Sequence, residues 1–558
     1  MRETALLTKP IAIRLPLALA GVLACVVVST TAPLPKFFDD DPHWVETDTE
    51  DATGIMAREI DLTIDLATNL FARPGDRTED VRARNVNTVD EVPDSSWFSN
   101  RAGKVPLTVK DVSVGPDRSA GPAAGTWTVV SAKSDGVTPG FTIRDAGKTM
   151  WFLKFDPPGY RAMSTGTEVA VTKLMWALGY HVPENHIATL DPKRLTIAPD
   201  AHITPANGQR RAMRRDDIVA LLGRADRDSD GTYRVIASRA LEGTPLGGIA
   251  FFGTRPDDPN DVVPHEHRRE LRGYGVFAAW LNHVDAKATN ALDTLVDDGP
   301  RKVVRHHLID FGSTLGSGGI YPREHWEGFE YMYEGRELLR GLPSFGFRIA
   351  PWRTLRFHES NAIGRLPLDN TTFDPSAWKP RVPNAAFLRA RADDRFWAAS
   401  KLLTITDEML RAAVTAGQFG APTEEAFLVK ALAERRDVIL RAYLSAVLPI
   451  VEPTLDERGT LTFDNLAVRA GVAPAPTRYR ARWAAFDNVT REARSLGESE
   501  GTTPSLIAPS ATGSPAFLRV EVWAEGGPSA WQTPAHVYFR RTAGSWRLVG
   551  LERLPTGN

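Results

Sequence analysis

The chain predicts an α+β fold, with strand-forming and helix-forming stretches gathered in separate regions. Three observations carry this. Between residues 126 and 155, three short runs rich in β-branched and aromatic residues are split by glycine-bearing turns. From 385 to 448 the pattern is helical, in DRFWAASKLL, DEMLRAAV and EEAFLVKALAERRDVILRAYLSAV. After Pro453 it returns to β-rich runs (TRYRARWAAFD, AFLRVEVWAE, AHVYFRRT, SWRLVGLER) separated by Gly, Pro and Ser, as expected for a β-sandwich or barrel over 453–558. At 558 residues the chain has room for two to four domains.

The N-terminus opens with Arg2, Lys9 and Arg14 ahead of the apolar run Leu15 to Val28. That run is short of the roughly twenty residues a spanning helix needs. A basic start, a short apolar core and small residues near its end make a secretory signal. The chain's only cysteine, Cys25, follows Val22-Leu23-Ala24. The segment resembles a bacterial lipobox, which implies lipidation at Cys25. An ordinary signal or an uncleaved anchor fits the same residues. Each places the bulk of the chain outside the cytoplasm, in the cell envelope, and lipidation or an uncleaved anchor would also attach it to the membrane through its N-terminal segment. With no cysteine after residue 25, a disulfide framework and a thiolate metal site are excluded for the exported part.

Residues 29–120 are expected to form a linker and N-terminal extension. They carry a proline- and acid-rich stretch, an amphipathic helix over 55–72, and a Trp97-Phe98 pair suited to anchoring this segment on the body of the protein. The next unit, 121–245, opens with the strand Thr126–Lys133 and the loop Ser134–Gly140, which carries Gly136 and Gly140. The strands Phe141–Asp145 and Thr149–Phe155 follow, the latter with Lys154. A helix is expected from Thr167 to Leu178, with Glu168 in its first turn. Thr165-Gly-Thr-Glu168 also fits a capping box, so Glu168 alone could serve only the helix end. Asp226, Asp228, Asp230 and Gly231 match the opening of a calcium loop, but position twelve is Ala237 where a bidentate glutamate belongs, which favours a polar turn. LEGTPLGG, Leu241–Gly248, suits a hinge into the larger unit, 246–450. There a single helix is expected over His265–Leu281. His265 and His267, at i,i+2, are splayed and expected at the surface. His306 and His307 alternate on a strand and face opposite ways.

Two stretches carry the most specific chemistry. HVDAKATN runs from His283 to Asn290, and LIDFG from Leu308 to Gly312, with Asp310 twenty residues after Asn290. This is the protein-kinase pattern H-x-D-x-K-x-x-N followed by D-F-G. Phosphoryl transfer needs a carboxylate beside the attacking hydroxyl, a cation on the transferring phosphate, and oxygen ligands for a metal. Asp285, Lys287, Asn290 and Asp310 are of the right types in the right order. Each alone has a structural explanation, as a cap or a turn. Their joint order, together with Lys154 and Glu168 upstream, is what points to a site.

On these residues the chain resembles the protein-kinase-like superfamily over about 125–320, with helices to about 450 that suit its large lobe. HHLIDFGSTLG, His306–Gly316, is similar to the metal-binding strand of phosphoinositide kinases and secretory-pathway kinases. The resemblance implies a bilobal fold with ATP, or another phosphoryl donor, between the lobes. It implies that Lys154, Glu168, Gly136 and Gly140 hold the nucleotide, that Asn290 and Asp310 hold Mg or Mn, and that Asp285 and Lys287 serve a hydroxyl-bearing acceptor, whether protein, lipid or glycan. The loop departs from the family in reading G-x-x-x-G, and no A-P-E signature follows Asp310. The rival expectation is a non-catalytic envelope scaffold on a degenerate kinase fold. A net charge of −2 with both signs interspersed supplies no general attraction to nucleic acid.

Overall fold

This computed structural model describes residues 33–72, 74, 80–103, 106–132, 139–204, 209–333, 350–509 and 515–555. The apolar N-terminal run, Cys25 and Gly136 lie outside the described residues. Among the described residues, no helix is long and apolar enough to cross a membrane. The fold is α+β.

The first sheet is built from β1 (Trp127–Ala132), β2 (Gly140–Arg144), β3 (Met150–Phe155), β4 (Asn185–Leu190), β5 (Leu195–Ile203), β6 (Arg211–Ala212) and β7 (Tyr233–Arg239), in the order β4-β7-β3-β2-β1-β5-β6. The β1–β5 pair is parallel and the other neighbours run antiparallel. The three predicted strands are β1, β2 and β3. Val129, Ile143 and Leu153 are buried together in this sheet's core.

The helix after β3 spans Met163–Ala177, four residues earlier than the sequence pattern suggests, so Glu168 lies in its second turn. Its start is set from a distance. Asp156, buried at the end of β3, accepts from the backbone N–H groups of Ala162, Ser164 and Thr165 and from the Thr165 hydroxyl. That one carboxylate satisfies N–H groups a helix end leaves open, and Glu168 is released from any capping duty. The helix faces away from the sheet with Ala170, Val171, Leu174 and Met175, which join the core of the helical region.

A second sheet has the order β10-β9-β8, from β8 (Thr244–Gly247), β9 (Ala291–Asp298) and β10 (Arg301–Leu308). β9 and β10 form the expected hairpin around Gly299, whose φ is +62°. Leu241–Gly248 connects the two sheets. The N-terminal extension lies along it, with Arg58 N–H donating to Leu246 O at 2.8 Å. Gly247 has φ +106°, and a Cβ there would sit 1.8 Å from Arg58 O, so only glycine lets the two backbones approach. The extension forms a short helix, Leu62–Ala67, within the predicted 55–72, and continues as one π-type turn to Ala72.

The predicted helix over His265–Leu281 is interrupted. A 3₁₀ turn, His265–His267, precedes an α-helix, Arg269–Leu281. His265 and His267 are buried, against the surface placement expected from their spacing. His265 Nε2 lies 2.7 Å from Asp261 Oδ2, and Arg272 donates to His267 Nδ1 at 2.8 Å. Asp228 meets Arg161 at 2.8 Å and Asp230 accepts from Thr232, so the calcium-like stretch is a polar turn. Three helices (Ala385–Leu388, Ala392–Leu402 and Pro422–Tyr443) pack around Arg269–Leu281, and a fourth, Asp407–Ala416, packs on Pro422–Tyr443 and on the helix that carries Glu168.

Residues beyond Ile450 form a three-stranded and a five-stranded sheet that share one continuous hydrophobic core with these helices. Buried charges tie the same regions together. Arg269 pairs with Asp90, Asp393 and Asp394 at 2.9–3.1 Å, and Arg553 reaches Asp90 at 2.9 Å. Trp97 and Phe98 are both buried, Trp97 stacked on His306 at 3.5 Å between ring centroids.

Candidate active site

Six polar residues from four separate segments form two bonded groups, joined through the backbone of Ile309. Lys154 projects from β3, where its register partner on β2 is Gly140. Its Nζ lies 2.7 Å from Asp310 Oδ1 and 3.5 Å from Glu168 Oε2. Glu168 turns its other oxygen to the backbone of the D-F-G stretch, accepting from Phe311 N–H at 3.0 Å. The β9–β10 register places Leu308 opposite Ala291, and Ile309 N–H donates to Asn290 O at 3.0 Å. Asp310 is therefore the second residue past the hairpin's end, directly after the one bonded to Asn290. Asn290 Nδ2 donates to Asp285 O at 2.8 Å and Asp285 Oδ2 at 3.1 Å. Lys287 Nζ contacts both Asp285 oxygens, at 3.0 and 2.9 Å.

The electrostatics follow from burial. Burial opposes the charge on Lys154, but the carboxylates of Asp310 and Glu168 outweigh it and hold the ammonium above the usual lysine range. Burial raises the Glu168 carboxyl, with Lys154 pulling it back. The pair thus needs both partners, since either charge left alone here would be costly. His283 is pushed down to about 4 by burial, so its imidazole is neutral near pH 7. It packs against Phe311 at 5.6 Å between ring centroids, and its Nδ1 lies 2.9 Å from Thr314 Oγ1. The loop carrying Asp285 and the turn carrying Asp310 are held to each other by this contact. Asp310 itself sits at φ +64°, a conformation that turns the chain sharply into Phe311-Gly312.

Gly312 is packed against the helix that carries Glu168. A Cβ there would lie 2.6 Å from Ser164 Oγ and 3.1 Å from Glu168 Oε2. Gly312→Ala should lower stability by about 1–3 kcal/mol through overpacking. Adding Ser164→Ala should recover most of the loss. Urea midpoints of the single and double variants measure this, and a Gly312→Ala protein as stable as wild type would contradict the packing.

All the predicted polar residues are brought together, and Gly140 stands beside Lys154. Three further residues shape the site without any local motif. Arg381 Nη1 comes within 3.8 Å of Asp285 Oδ1, while its Nε is bonded to Glu327. Arg323 is fully buried and donates to the carbonyls of Ser313, Leu315 and Ser317, which fixes the course of the chain after D-F-G. Asp156 sets the helix bearing Glu168. An arginine in YPREH or KPRVP has the texture of a surface residue, so only the tertiary fold could single these out.

The oxygen donors suit a hard divalent cation. Asn290 commits its Nδ2 to Asp285, which leaves Oδ1 as an acceptor, and its carbonyl holds Ile309, the neighbour of Asp310. Among the described residues there is no group of three His, Cys, Asp or Glu able to hold a metal. A cation held by Asn290 and Asp310 would draw its remaining ligands from phosphate and water, the habit of magnesium.

No protein-family model matches the chain, and no curated protein is similar to it. Among solved structures it is similar to a proinflammatory kinase of Helicobacter pylori, CtkA, at a TM-score of 0.27 and 11% identity, over 57% of this chain and 98% of that one. A likeness this slight bears no weight for fold or chemistry, which rest on the geometry above.

Proposed function

We propose that this protein is a phosphotransferase with a bilobal, protein-kinase-like arrangement, acting on a hydroxyl-bearing acceptor with ATP or a related phosphoryl donor. One observation carries the reading: Lys154, Glu168 and Asp310 form one bonded group, Asn290, Asp285 and Lys287 another, and the Ile309 N–H bond to Asn290 O holds the two side by side. The seven-stranded sheet supplies Lys154, the following helix supplies Glu168, and the β9–β10 hairpin with its preceding loop supplies the rest.

In this reading Lys154, held by Glu168, binds the donor's phosphates. Asp285 faces the acceptor. Its Oδ2 is taken by Lys287 and Asn290, whereas among the described residues Oδ1 has only Lys287 within hydrogen-bond distance and Arg381 at 3.8 Å. Each carboxylate oxygen can accept twice, so Oδ1 is the position for the acceptor hydroxyl. Asp285 takes that proton as the hydroxyl oxygen bonds to phosphorus and the bond to the leaving diphosphate breaks. Lys287 lies beside the same carboxylate and places its charge on the transferring phosphoryl group. A divalent cation held by Asn290 and Asp310 would offset the charge that collects on the phosphate oxygens.

The direct test incubates the purified chain with labelled ATP or another phosphoryl donor, Mg or Mn, and hydroxyl acceptors drawn from protein, lipid and glycan. Metal-dependent label transfer, or hydrolysis of the donor where no acceptor suits, is the expected result. Label transfer by no donor under either metal would leave the non-catalytic scaffold as the better reading.

We place the protein in the cell envelope on its first 28 residues, with the lipid on Cys25 as the attachment. An alkaline phosphatase reporter fused after Ile60 should be active, because it folds only outside the cytoplasm. A reporter that works only in the cytoplasm and is active at the same junction would overturn the placement.

A further inference from the structure

A cavity of about 560 Å3 opens beside the end of β7 and the strands β9 and β10, and none of the six site residues lines it. Its size is in the range of small-molecule pockets, about 300–1,000 Å3. Its walls are strongly charged, and the charges do not balance. Glu184 is matched by Arg239 at 2.8 Å, Glu242 by Arg118 at 3.0 Å, and Asp117 by Lys173 at 2.8 Å. Two guanidinium groups remain over. Arg305, on β10, makes neither a hydrogen bond nor an ion pair among the described residues. Arg101 lies 4.8 Å over the Trp176 ring and donates to the carbonyls of Trp176 and Tyr180, with no ion pair among the described residues. Burial pushes Arg101 down to about 10, with the Asp94 carboxylate pulling it back only in part.

The same cavity is lined by His181 and His307, with ring centroids 6.1 Å apart. Each ring has one nitrogen facing a backbone carbonyl at 3.3 Å: His181 Nε2 toward Ser95 and His307 Nδ1 toward Leu292. A carbonyl can only accept, so these nitrogens carry the hydrogens. Burial holds both rings neutral, at about 3 for His181 and about 4 for His307. His181 Nδ1 and His307 Nε2 are therefore acceptors, and neither has a partner among the described residues. A metal ion would suit two such nitrogens, but the adjacent guanidinium charges oppose a cation, and no third ligand of metal-binding type completes a set among the described residues. Two surplus cations beside two vacant acceptors call instead for an anion that brings its own hydroxyl hydrogens.

We propose that this cavity is a second ligand site, which binds a small hydroxylated organic anion, a hydroxycarboxylate or a polyol phosphate, through Arg101 and Arg305 with its hydroxyl groups donating to His181 and His307. It stands independently of the phosphotransferase reading, because the two sites share no residue.

Citrate and glycerol 3-phosphate serve as probes. Tricarballylate, which is citrate without its hydroxyl, and inorganic phosphate serve as their controls. On the purified full chain, calorimetry should show one site for citrate or glycerol 3-phosphate. The hydroxylated probe should bind more tightly than its control. Arg305→Gln should weaken binding by about tenfold or more, the worth of one charge-assisted contact. The Arg305 side chain has no partner to lose among the described residues, so the variant should melt like wild type without ligand. Should it fail to fold, Arg101→Lys gives the same reading. His307→Phe should erase the difference between citrate and tricarballylate. Failure of both probes to bind wild type, or binding by Arg305→Gln equal to wild type, would overturn the site. Equal binding of each probe and its control would overturn the role of the two histidines.

Discussion

Asp285→Asn should lower turnover by about 10²–10⁴-fold, the usual cost of losing a general base, while nucleotide binding is kept. The argument is geometric. Asparagine has the same shape, and the amide oxygen can still accept from Lys287 or Asn290, so the loop should stay in place. What is lost is the negative charge that takes the acceptor's proton. Lys154 bonds to both Glu168 and Asp310, while among the described residues Asp285 bonds to Lys287 and Asn290, so the proposed nucleotide contacts are separate from the change. Lys287 and Arg381 would then flank a neutral amide that cannot take the acceptor's proton, so neither cation restores the rate. Steady-state kinetics, paired with equilibrium binding of the nucleotide, separates the two effects. An Asp285→Asn protein with wild-type turnover would remove this residue from the mechanism.

How much of this was legible beforehand depends on whether the information was local. β1, β2 and β3 were readable because β-branched and aromatic runs bounded by glycine turns leave the chain few alternatives. The two motif stretches were readable because their spacing is itself the constraint: the β9–β10 hairpin brings Ile309 to Asn290 through a turn that the sequence marks with Asp297-Asp298-Gly299-Pro300. The start of the Glu168 helix was not readable, because its N–H groups are met by Asp156, which precedes the helix across the Pro157-Pro158-Gly159 turn. The helical periodicity also said nothing of the break at Arg268, where that residue's guanidinium is buried against Glu46 and Glu270. His265 and His267 were misplaced for the same reason. Spacing describes which face of a helix a residue takes, but a 3₁₀ turn has another period, and burial there is decided by Asp261 and Arg272. Arg269, Arg323 and Arg381 are cases of a general limit. A charged residue is expected outside unless paired, and the partners that make burial tolerable lie far along the chain.

Asp310→Ala should abolish the rise in melting temperature that Mg- or Mn-nucleotide gives the wild-type protein. A ligand stabilises only the state it binds, by about 2.7 kcal/mol at roughly a hundred times its Kd, so the loss should be large against the scatter of a thermal melt. Asp310 has two claims on the site. Its carboxylate meets Lys154 at 2.7 Å, and its position past Ile309 puts it next to Asn290. Removing it deletes the proposed cation ligand and leaves Lys154 with Glu168, at 3.5 Å. The unliganded melting temperature can therefore move in the variant as well, and the quantity to compare is the shift on adding nucleotide. Asp310→Asn refines the test. It keeps an oxygen toward the cation but cancels the charge, so a partial shift that grows with metal concentration is expected there. A nucleotide shift of equal size in wild type and Asp310→Ala would show that the ligand sits elsewhere. If no nucleotide moves the melting temperature of wild type under either metal, the assignment of this cluster to a phosphoryl donor falls, whatever the cluster's resemblance to a kinase.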